Sequence, residues 1–248
     1  MIRDSFLKDA IQDKAGFRWR NDDVSRIEGF TDAVLGFAIT LLVVSLEIPN
    51  TFDELLHAMK GFIAFAITFT FLIYIWYSHY IFFKRYGLKD VYTIVLNAIL
   101  LFVVLFYIYP LKFLFNMLVY SLIGEPLTHT LSDGTLVNII SKADSALLMI
   151  IYAIGYIAIF LVFALMYLHA YRLKNVLKLN ELERLHTLHA IKSHSIMVLF
   201  GLFSIILALF GFIGWAGIIY SFVGFAQMFL GISTGRKIRR LNIGNAKV

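Results

Sequence analysis

Four long runs without Asp, Glu, Lys or Arg constrain the fold of this chain more than any other feature. A helix needs about 20 apolar residues to cross a bilayer. Three of the runs have the length of one crossing, whereas the fourth has 41 residues, the length of two, with turn-forming glycines at its middle. The runs are Gly61–Phe83, Val91–Leu111, Ser145–Tyr171 and Ser195–Gly235, and the glycines are Gly211, Gly214 and Gly217.

A further membrane helix is predicted near the start of the chain, because Arg26, Glu28 and Asp32 lie only at the mouth of an otherwise apolar segment. Charges in hydrocarbon are costly and usually face a bundle interior or a water-filled path. The prediction is therefore one all-α domain, residues 1–248, with six transmembrane helices and no re-entrant selectivity-filter loop. The predicted spans are approximately 24–48, 55–83, 90–117, 144–172, 192–211 and 214–235.

Composition and the distribution of basic residues predict a multi-pass membrane protein. The chain is 60% hydrophobic and 15% charged, against about 25% charged in soluble domains. All but Lys60, Lys112 and Lys142 of its 22 Lys and Arg residues fall in the N-terminal arm, two alternate connections or the C-terminal tail. Since basic residues collect in cytoplasmic loops, we predict a plasma-membrane protein with both termini in the cytoplasm. The spread of basic residues over four segments does not favour nucleic-acid binding.

Polar side chains on the first three predicted helices lie at one membrane level. With a rise of 1.5 Å per residue, Asp32 lies about 9 Å along the helix from Arg26. An unpaired polar group in hydrocarbon is costly, so we predict that these groups converge near the cytoplasmic side. Two roles are open for the cluster: packing of the three helices, which we favour, and ion contact or proton sensing. Its members are Arg26, Thr31, Asp32, His79 and Asn97.

One face of the first helix carries apolar residues at intervals of about 3.5 residues. Such a seam normally packs against neighbouring helices. If several copies of the helix surround an axis, however, the same residues form rings, and rings of leucine act as gates that close by dewetting. The sequence leaves both interpretations open. The seam consists of Leu35, Ala38, Leu42 and Leu46, preceded by Glu28 and Thr31.

The polar segment 175–192 either extends the fourth helix or leads into the fifth. It contains Glu183 and His186 at the i, i+3 spacing of di-iron bundles, but that geometry takes ligands from several helices. We therefore predict a solvated helix face and no metal site. The chain has no cysteine, no nucleotide-binding or hydrolase motif and no TVGYG-type filter. We accordingly predict no cofactor and no enzymatic activity.

The first helix also resembles a known family. Arg26-x-x-x-Phe30-Thr31-Asp32, followed by an apolar run, resembles the RxxxFSD signature of the transmembrane protein 175 family of potassium channels in its single-repeat prokaryotic form, with Thr31 in place of serine. The segment Trp76-Tyr77-Ser78-His79 and Asn97 fit the family's pattern on the next two helices. The resemblance implies a potassium-permeable channel built by the first helix around a central axis. A single repeat implies a homotetramer in membrane lipid.

The resemblance also implies roles for individual residues. Leu35 and Leu42 become hydrophobic constriction rings, and Leu46 lies beyond them. Ala38, between the rings, offers no oxygen ligand, which predicts passive conduction of monovalent cations with weakened selectivity for potassium. The residues that hold the pore helix are Arg26, Phe30, Thr31, Asp32, Trp76, His79 and Asn97.

A second class of function stays open at this stage, a proton- or cation-coupled secondary transporter that uses Asp32 and His79. Ionisable residues within membrane spans also mark proton relays. Transporters commonly show inverted repeats and broken helices, and neither is visible in this sequence. A membrane-embedded enzyme ranks third, because no catalytic constellation is recognisable.

Overall fold

The protein is described by a computed structural model that covers residues 12–13, 16–21, 23–44, 50–52, 55–56, 59, 62–122, 124, 128–130 and 135–245. These residues are mainly helical, with one short antiparallel hairpin between the third and fourth helices. The elements are α1 (Arg26–Val44), α2 (Phe62–Tyr86), α3 (Val91–Leu122), β1 (Thr128–Thr130), β2 (Leu136–Asn138), α4 (Lys142–Arg172), α5 (Glu181–Leu209), α6 (Ile213–Ile218), a 3-10 turn (Ile219–Phe222) and α7 (Val223–Asn245).

Five helices in the described part of the chain are long and apolar enough to cross a membrane. They overlap the second to sixth predicted spans, and the last of them comprises α6, the 3-10 turn and α7. The predicted first span contains α1 but runs on into residues 45–48, which lie outside the described ranges. The five helices are Phe62–Tyr86, Val91–Met117, Asp144–Arg172, Glu181–Leu209 and Ile213–Leu241.

Helix α5 begins earlier than its predicted span. It runs without interruption from Glu181 to Leu209, so residues 181–192 are the first turns of the fifth helix and not an extension of the fourth. Asn180 starts the helix through a capping box. Its side chain accepts from the backbone N–H of Glu183 (2.8 Å), whose carboxylate accepts from the backbone N–H of Asn180 (3.0 Å).

Glycines allow close contacts between α3, α4 and α5. A Cβ atom on Gly201 of α5 would lie 2.5 Å from Cγ1 of Ile157 on α4, and one on Gly155 of α4 would overlap the ring of Tyr107 on α3. Interiors at native packing density leave no room for such atoms. The hydrophobic core extends from α1 through α2 and α3 to α4 and α5.

The N-terminal arm, described at residues 12–13 and 16–21, lies at one end of the helix bundle, which we call the arm side. Helix α3 begins there after Asp90, whose carboxylate accepts from the hydroxyl of Thr93 (2.8 Å) and from Nε2 of His169 on α4 (3.1 Å). Burial alone would raise the pKa of Asp90, but the hydrogen bonds from Thr93 and His169 together lower it. The arm side therefore contains the start of α3 and the end of α4.

Candidate functional site

The first turn of α1 is fixed by hydrogen bonds around Glu28. Its Oε2 accepts from the hydroxyl of Ser25 (2.7 Å) and from the Ser25 backbone N–H (2.9 Å), while the backbone N–H of Glu28 donates to the Ser25 hydroxyl (3.3 Å). This reciprocal cap satisfies donors that a helix start leaves free. Oε2 also accepts from Nδ2 of Asn21 in the arm at 2.5 Å. The start of α1 is thereby tied to the arm.

Three buried polar side chains connect α1, α2 and α3. Nδ2 of Asn97 on α3 donates to the hydroxyl of Thr31 on α1 (2.8 Å), and Oδ1 of Asn97 lies 2.9 Å from Nε2 of His79 on α2. An amide oxygen only accepts, so His79 donates from Nε2. All three side chains are 3% exposed or less. The structure thus brings together three of the five residues of the predicted cluster, and their bonds hold three helices in one register.

Asp32 and Trp76 form a separate contact at the surface of the subunit. Nε1 of Trp76 on α2 donates to Oδ1 of Asp32 on α1 at 2.8 Å. The pair borders a groove of about 210 Å³ between the two helices. Because the groove is partly open, the Asp32 carboxylate is accessible from outside the subunit. The groove is lined by Asp32, Leu35, Gly36, Ile39, Leu72, Ile73 and Trp76.

Arg26 and Phe30 lie apart from both polar contacts. Arg26 is exposed and makes no hydrogen bond or ion pair with any residue in the described ranges, and Phe30 is 63% exposed. The two residues are one turn apart on the side of α1 that faces away from α2 and α3. The prediction placed Arg26 in the cluster because a charge at this depth needs compensation. In the structure its side chain instead points out of the subunit.

Leu35, Ala38 and Leu42, which were predicted to face a pore, lie on the covered side of α1. They are 4%, 0% and 0% exposed, and they belong to the core that α1 shares with α2 and α3. Their own subunit therefore covers these three side chains. This burial agrees with the packing interpretation of the 3.5-residue seam, and the pore interpretation stays a prediction. Leu46 lies outside the described residues.

The opposite side of α1, which we call the free face, is open. Phe37 is 59% exposed there, and the Thr40 hydroxyl donates to the carbonyl oxygen of Phe37 at 2.7 Å. Because its proton is used within the helix, the lone pairs of the Thr40 oxygen stay available to an outside group. Sequence reasoning missed this face, although its small residues recur at helical spacing. The exposed residues are Gly29, Ala33, Gly36, Phe37 and Thr40.

A second polar centre lies on the arm side, around Glu183 of α5. The Glu183 side chain is fully buried and accepts from Nε (2.9 Å) and Nη2 (2.9 Å) of Arg18 and from Nη2 of Arg20 (2.7 Å). The hydrogen bond to Glu183 raises the pKa of Arg18. The prediction that Glu183 lies on a solvated helix face is therefore wrong. In the described ranges no three His, Asp or Glu side chains are grouped so that they could hold a metal ion.

The arm contacts α2 through buried and charged side chains. Phe17 is fully buried, with its ring centroid 5.4 Å from that of Tyr86 and 4.8 Å from the guanidinium carbon of Arg85. Arg85 in turn pairs with Asp13 at 2.7 Å. Sequence reasoning missed this docking, and the Asn180-x-x-Glu183 capping pattern was the one local signal near it. The arm therefore joins the start of α1, the end of α2 and the start of α5.

Comparisons with known proteins identify a family and several relatives. The family model described as endosomal/lysosomal potassium channel TMEM175 matches residues 26–107, from the start of α1 to the middle of α3. The chain is 46% identical over 193 residues to a potassium channel of Marivirga tractuosa, with 78% of each protein covered. It is also 28% identical over 106 residues to a potassium channel of Chamaesiphon minutus. The aligned region covers 40% of this chain and 52% of that protein.

Two crystal structures resemble the fold. One is a threonine-to-alanine variant of the potassium channel MtTMEM175, in complex with a nanobody–MBP fusion protein. Its channel chain is 40% identical to this chain, and the two superpose with a TM-score of 0.74 over 93% of this chain and 100% of that chain. The other is a lysosomal potassium-selective channel TMEM175 homolog from Chamaesiphon minutus, with 19% identity, 86% and 99% coverage and a TM-score of 0.55, which shows likeness of fold alone. The family resemblance is confirmed: the chain belongs to the TMEM175 family.

Proposed function

We propose that this chain is the subunit of a potassium channel and that α1 lines its pore. The family relationship supports potassium conduction, because the similar proteins are named as potassium channels. The division of α1 into two sides carries the pore assignment. One side is packed in the subunit core, and the other exposes Arg26 together with small residues. A charge on such a face is costly against lipid, whereas assembly around an axis gives it a water-filled path.

The proposed pore surface is the free face and not the buried seam. Phe37 is, with Phe30, a large apolar side chain on this face, and a ring of such side chains constricts a pore by dewetting. Thr40 follows on the same face and presents an oxygen, and a ring of hydroxyls replaces part of the hydration shell of an ion. Ala38 is buried in this arrangement, so its lack of a hydroxyl has no direct effect on selectivity.

The proposed assembly is a homotetramer with six membrane spans per subunit, α1 being the first. The single repeat supports four subunits, and the concentration of basic residues on the arm side supports placing both termini in the cytoplasm, at the plasma membrane. The contacts of Asp32 and His79 weaken the transporter alternative. His79 is 1% exposed and bonded to Asn97, while Asp32 bonds to Trp76 at the surface, so the two side chains are not hydrogen-bonded to each other.

Thiol modification tests the pore face directly, because the chain contains no cysteine and each introduced cysteine is unique. Single Phe37→Cys and Thr40→Cys variants are recorded in planar bilayers before and after addition of a cationic methanethiosulfonate reagent. We expect the current carried by both variants to fall on modification. The matched Leu35→Cys and Ala38→Cys variants, one or two positions away on the covered side, are expected to give unchanged currents.

Two results would contradict the proposal. Modification of Leu35→Cys with no effect at Phe37→Cys would return the pore to the buried seam. Potassium flux without discrete unitary currents would favour a carrier, since single-channel currents far exceed the turnover of a transporter. The number of subunits is measured separately by native mass spectrometry of the purified protein, where a mass other than that of four chains would refute the tetramer alone.

A further inference from the structure

Helix α7 packs on the molecule through one side and leaves the other side open. On the packed side, Ser193 of α5 donates to Oε1 of Gln227 (2.7 Å), and the Thr234 hydroxyl lies 3.0 Å from Nδ1 of His189. These contacts show that α7 runs antiparallel to α5, so α7 ends on the arm side. The open side carries apolar residues that give way to arginines toward the arm side: Phe225, Met228, Phe229 and Ile232, followed by Arg236, Arg239 and Arg240.

The spacing of this side fits a lipid in one leaflet. Phe229 and Arg239 are about 10 residues apart, roughly 15 Å along a helix, which is half of a hydrocarbon core of about 30 Å. Phe225 is 60% and Phe229 is 67% exposed, so both rings are available to acyl chains. Arg236 has Arg239 and Arg240 at i+3 and i+4, where Cβ atoms lie about 5–6 Å apart. Their guanidinium groups can therefore converge on one phosphate.

Charge balance favours a phospholipid over a second copy of the chain. Residues 223–248 contain no Asp or Glu. The same face of a second copy would therefore oppose arginines with arginines, and several acidic residues of the arm side, apart from the exposed Asp23 and Glu181, are already bonded within the subunit. Asp13 pairs with Arg85, Glu28 with Ser25 and Asn21, Asp90 with Thr93 and His169, and Glu183 with Arg18 and Arg20.

We propose that the open side of α7 binds an anionic phospholipid of the leaflet on the arm side. The phosphate lies between the guanidinium groups of Arg236, Arg239 and Arg240, and an acyl chain lies along Ile232 and Phe229. Guanidinium groups bind phosphate through paired N–H donors. Because residues 223–248 contain no Asp or Glu, the three positive charges favour an anionic headgroup over a zwitterionic one, whose own cation they repel. The site is independent of the pore and of the number of subunits.

The test measures retention of phosphatidylglycerol by purified protein, using native mass spectrometry in mixed micelles with phosphatidylcholine. Each basic residue near an anionic surface contributes a factor of about five to binding, so the Arg236→Gln/Arg239→Gln/Arg240→Gln variant should bind phosphatidylglycerol on the order of 100-fold more weakly than the native chain. The corresponding triple Arg→Lys variant keeps the charge that orients α7 in the membrane. It loses the paired N–H donors, so it should bind phosphatidylglycerol more weakly than the native chain and more tightly than the glutamine variant.

A matched control removes three exposed charges from the same side of the molecule: Lys89→Gln, Arg172→Gln and Lys192→Gln. This variant should bind phosphatidylglycerol as the native chain does. Equal losses in the two glutamine variants would overturn the proposal in favour of diffuse charge attraction. Unchanged binding in the α7 glutamine variant would also overturn it. A change in the subunit number of that variant in the absence of lipid would overturn it as well, because the surface would then contact a second copy. Millimolar inorganic phosphate should not displace the lipid.

Discussion

Replacing Thr31 by valine tests whether the buried polar bonds hold α1 against α2 and α3. Valine has nearly the shape of threonine, so the change removes the hydroxyl without leaving a cavity. Nδ2 of Asn97 then loses the acceptor that it reaches at 2.8 Å. Because Thr31 is 0% and Asn97 3% exposed, water cannot replace that acceptor. A buried donor left unpaired costs about 1–3 kcal/mol of unfolding free energy.

The assay is thermal unfolding followed by tryptophan fluorescence. The chain has three tryptophans, and Trp76 reports on α1 through its bond to Asp32. In a domain of 150–250 residues, 1 kcal/mol corresponds to about 2–4 °C, so the Thr31→Val variant should melt roughly 2–12 °C lower than the native chain. Thr40→Val is the control on the same helix. Its hydroxyl is exposed, so its effect on stability should stay within about 0.5 kcal/mol.

A double-mutant cycle identifies the partner. In an Asn97→Leu background the donor is already gone, so Thr31→Val should cost much less than it does in the native chain. If the two threonine variants melt at the same temperature, or if the costs of Thr31→Val and Asn97→Leu simply add, the bond does not support α1 and the reasoning fails.

Three further outcomes follow from the buried and exposed positions. Glu183→Gln leaves two arginines facing an uncharged amide and should destabilise the protein by about 3–5 kcal/mol. Trypsin should then cleave faster at Arg18 and Arg20, whereas the variant with the exposed Glu181→Gln change should be cleaved as the native chain is. Equal cleavage of the two variants would contradict the buried ion pair. Ala38→Thr should overpack the core by about 1–3 kcal/mol and leave the potassium/sodium reversal potential unchanged, so a shifted reversal potential would restore Ala38 to the pore. Thr40→Val should shift that potential toward weaker potassium preference, and an unaltered value would exclude its hydroxyl from ion contact.

The helices and the polar contacts between them follow from the sequence where one physical constraint dominates. Uncharged runs longer than about 20 residues have few alternatives to a membrane helix, and they overlap α2 to α7. The meeting of Thr31, His79 and Asn97 followed from depth, because polar groups at one level of a membrane must satisfy one another. Both arguments are independent of which way a helix is rotated about its axis.

The rotation of α1 could not be obtained in the same way. The sequence allowed two interpretations of its regular apolar seam, packing within the subunit and lining of a pore. A hydrophobic period identifies the apolar side of a helix, which in this structure is the side packed in the core. The free face is marked by Gly29, Ala33 and Gly36, which contribute nothing to that period. The Arg18–Glu183 pair was invisible for a different reason. Its members are 165 residues apart, and no local pattern connects them.

The contacts on α1 leave one side of the helix open for the pore that we propose. Its start is held through Glu28 and Asn21 by the arm, which is itself anchored on Glu183, and its body is held by the Asn97 bond and the seam of Leu35, Ala38 and Leu42. All of these contacts lie on one side or at one end. The free face therefore takes no part in these contacts within the subunit. Its residues can change to suit a permeating ion without loosening the fold, whereas a change on the seam alters stability first.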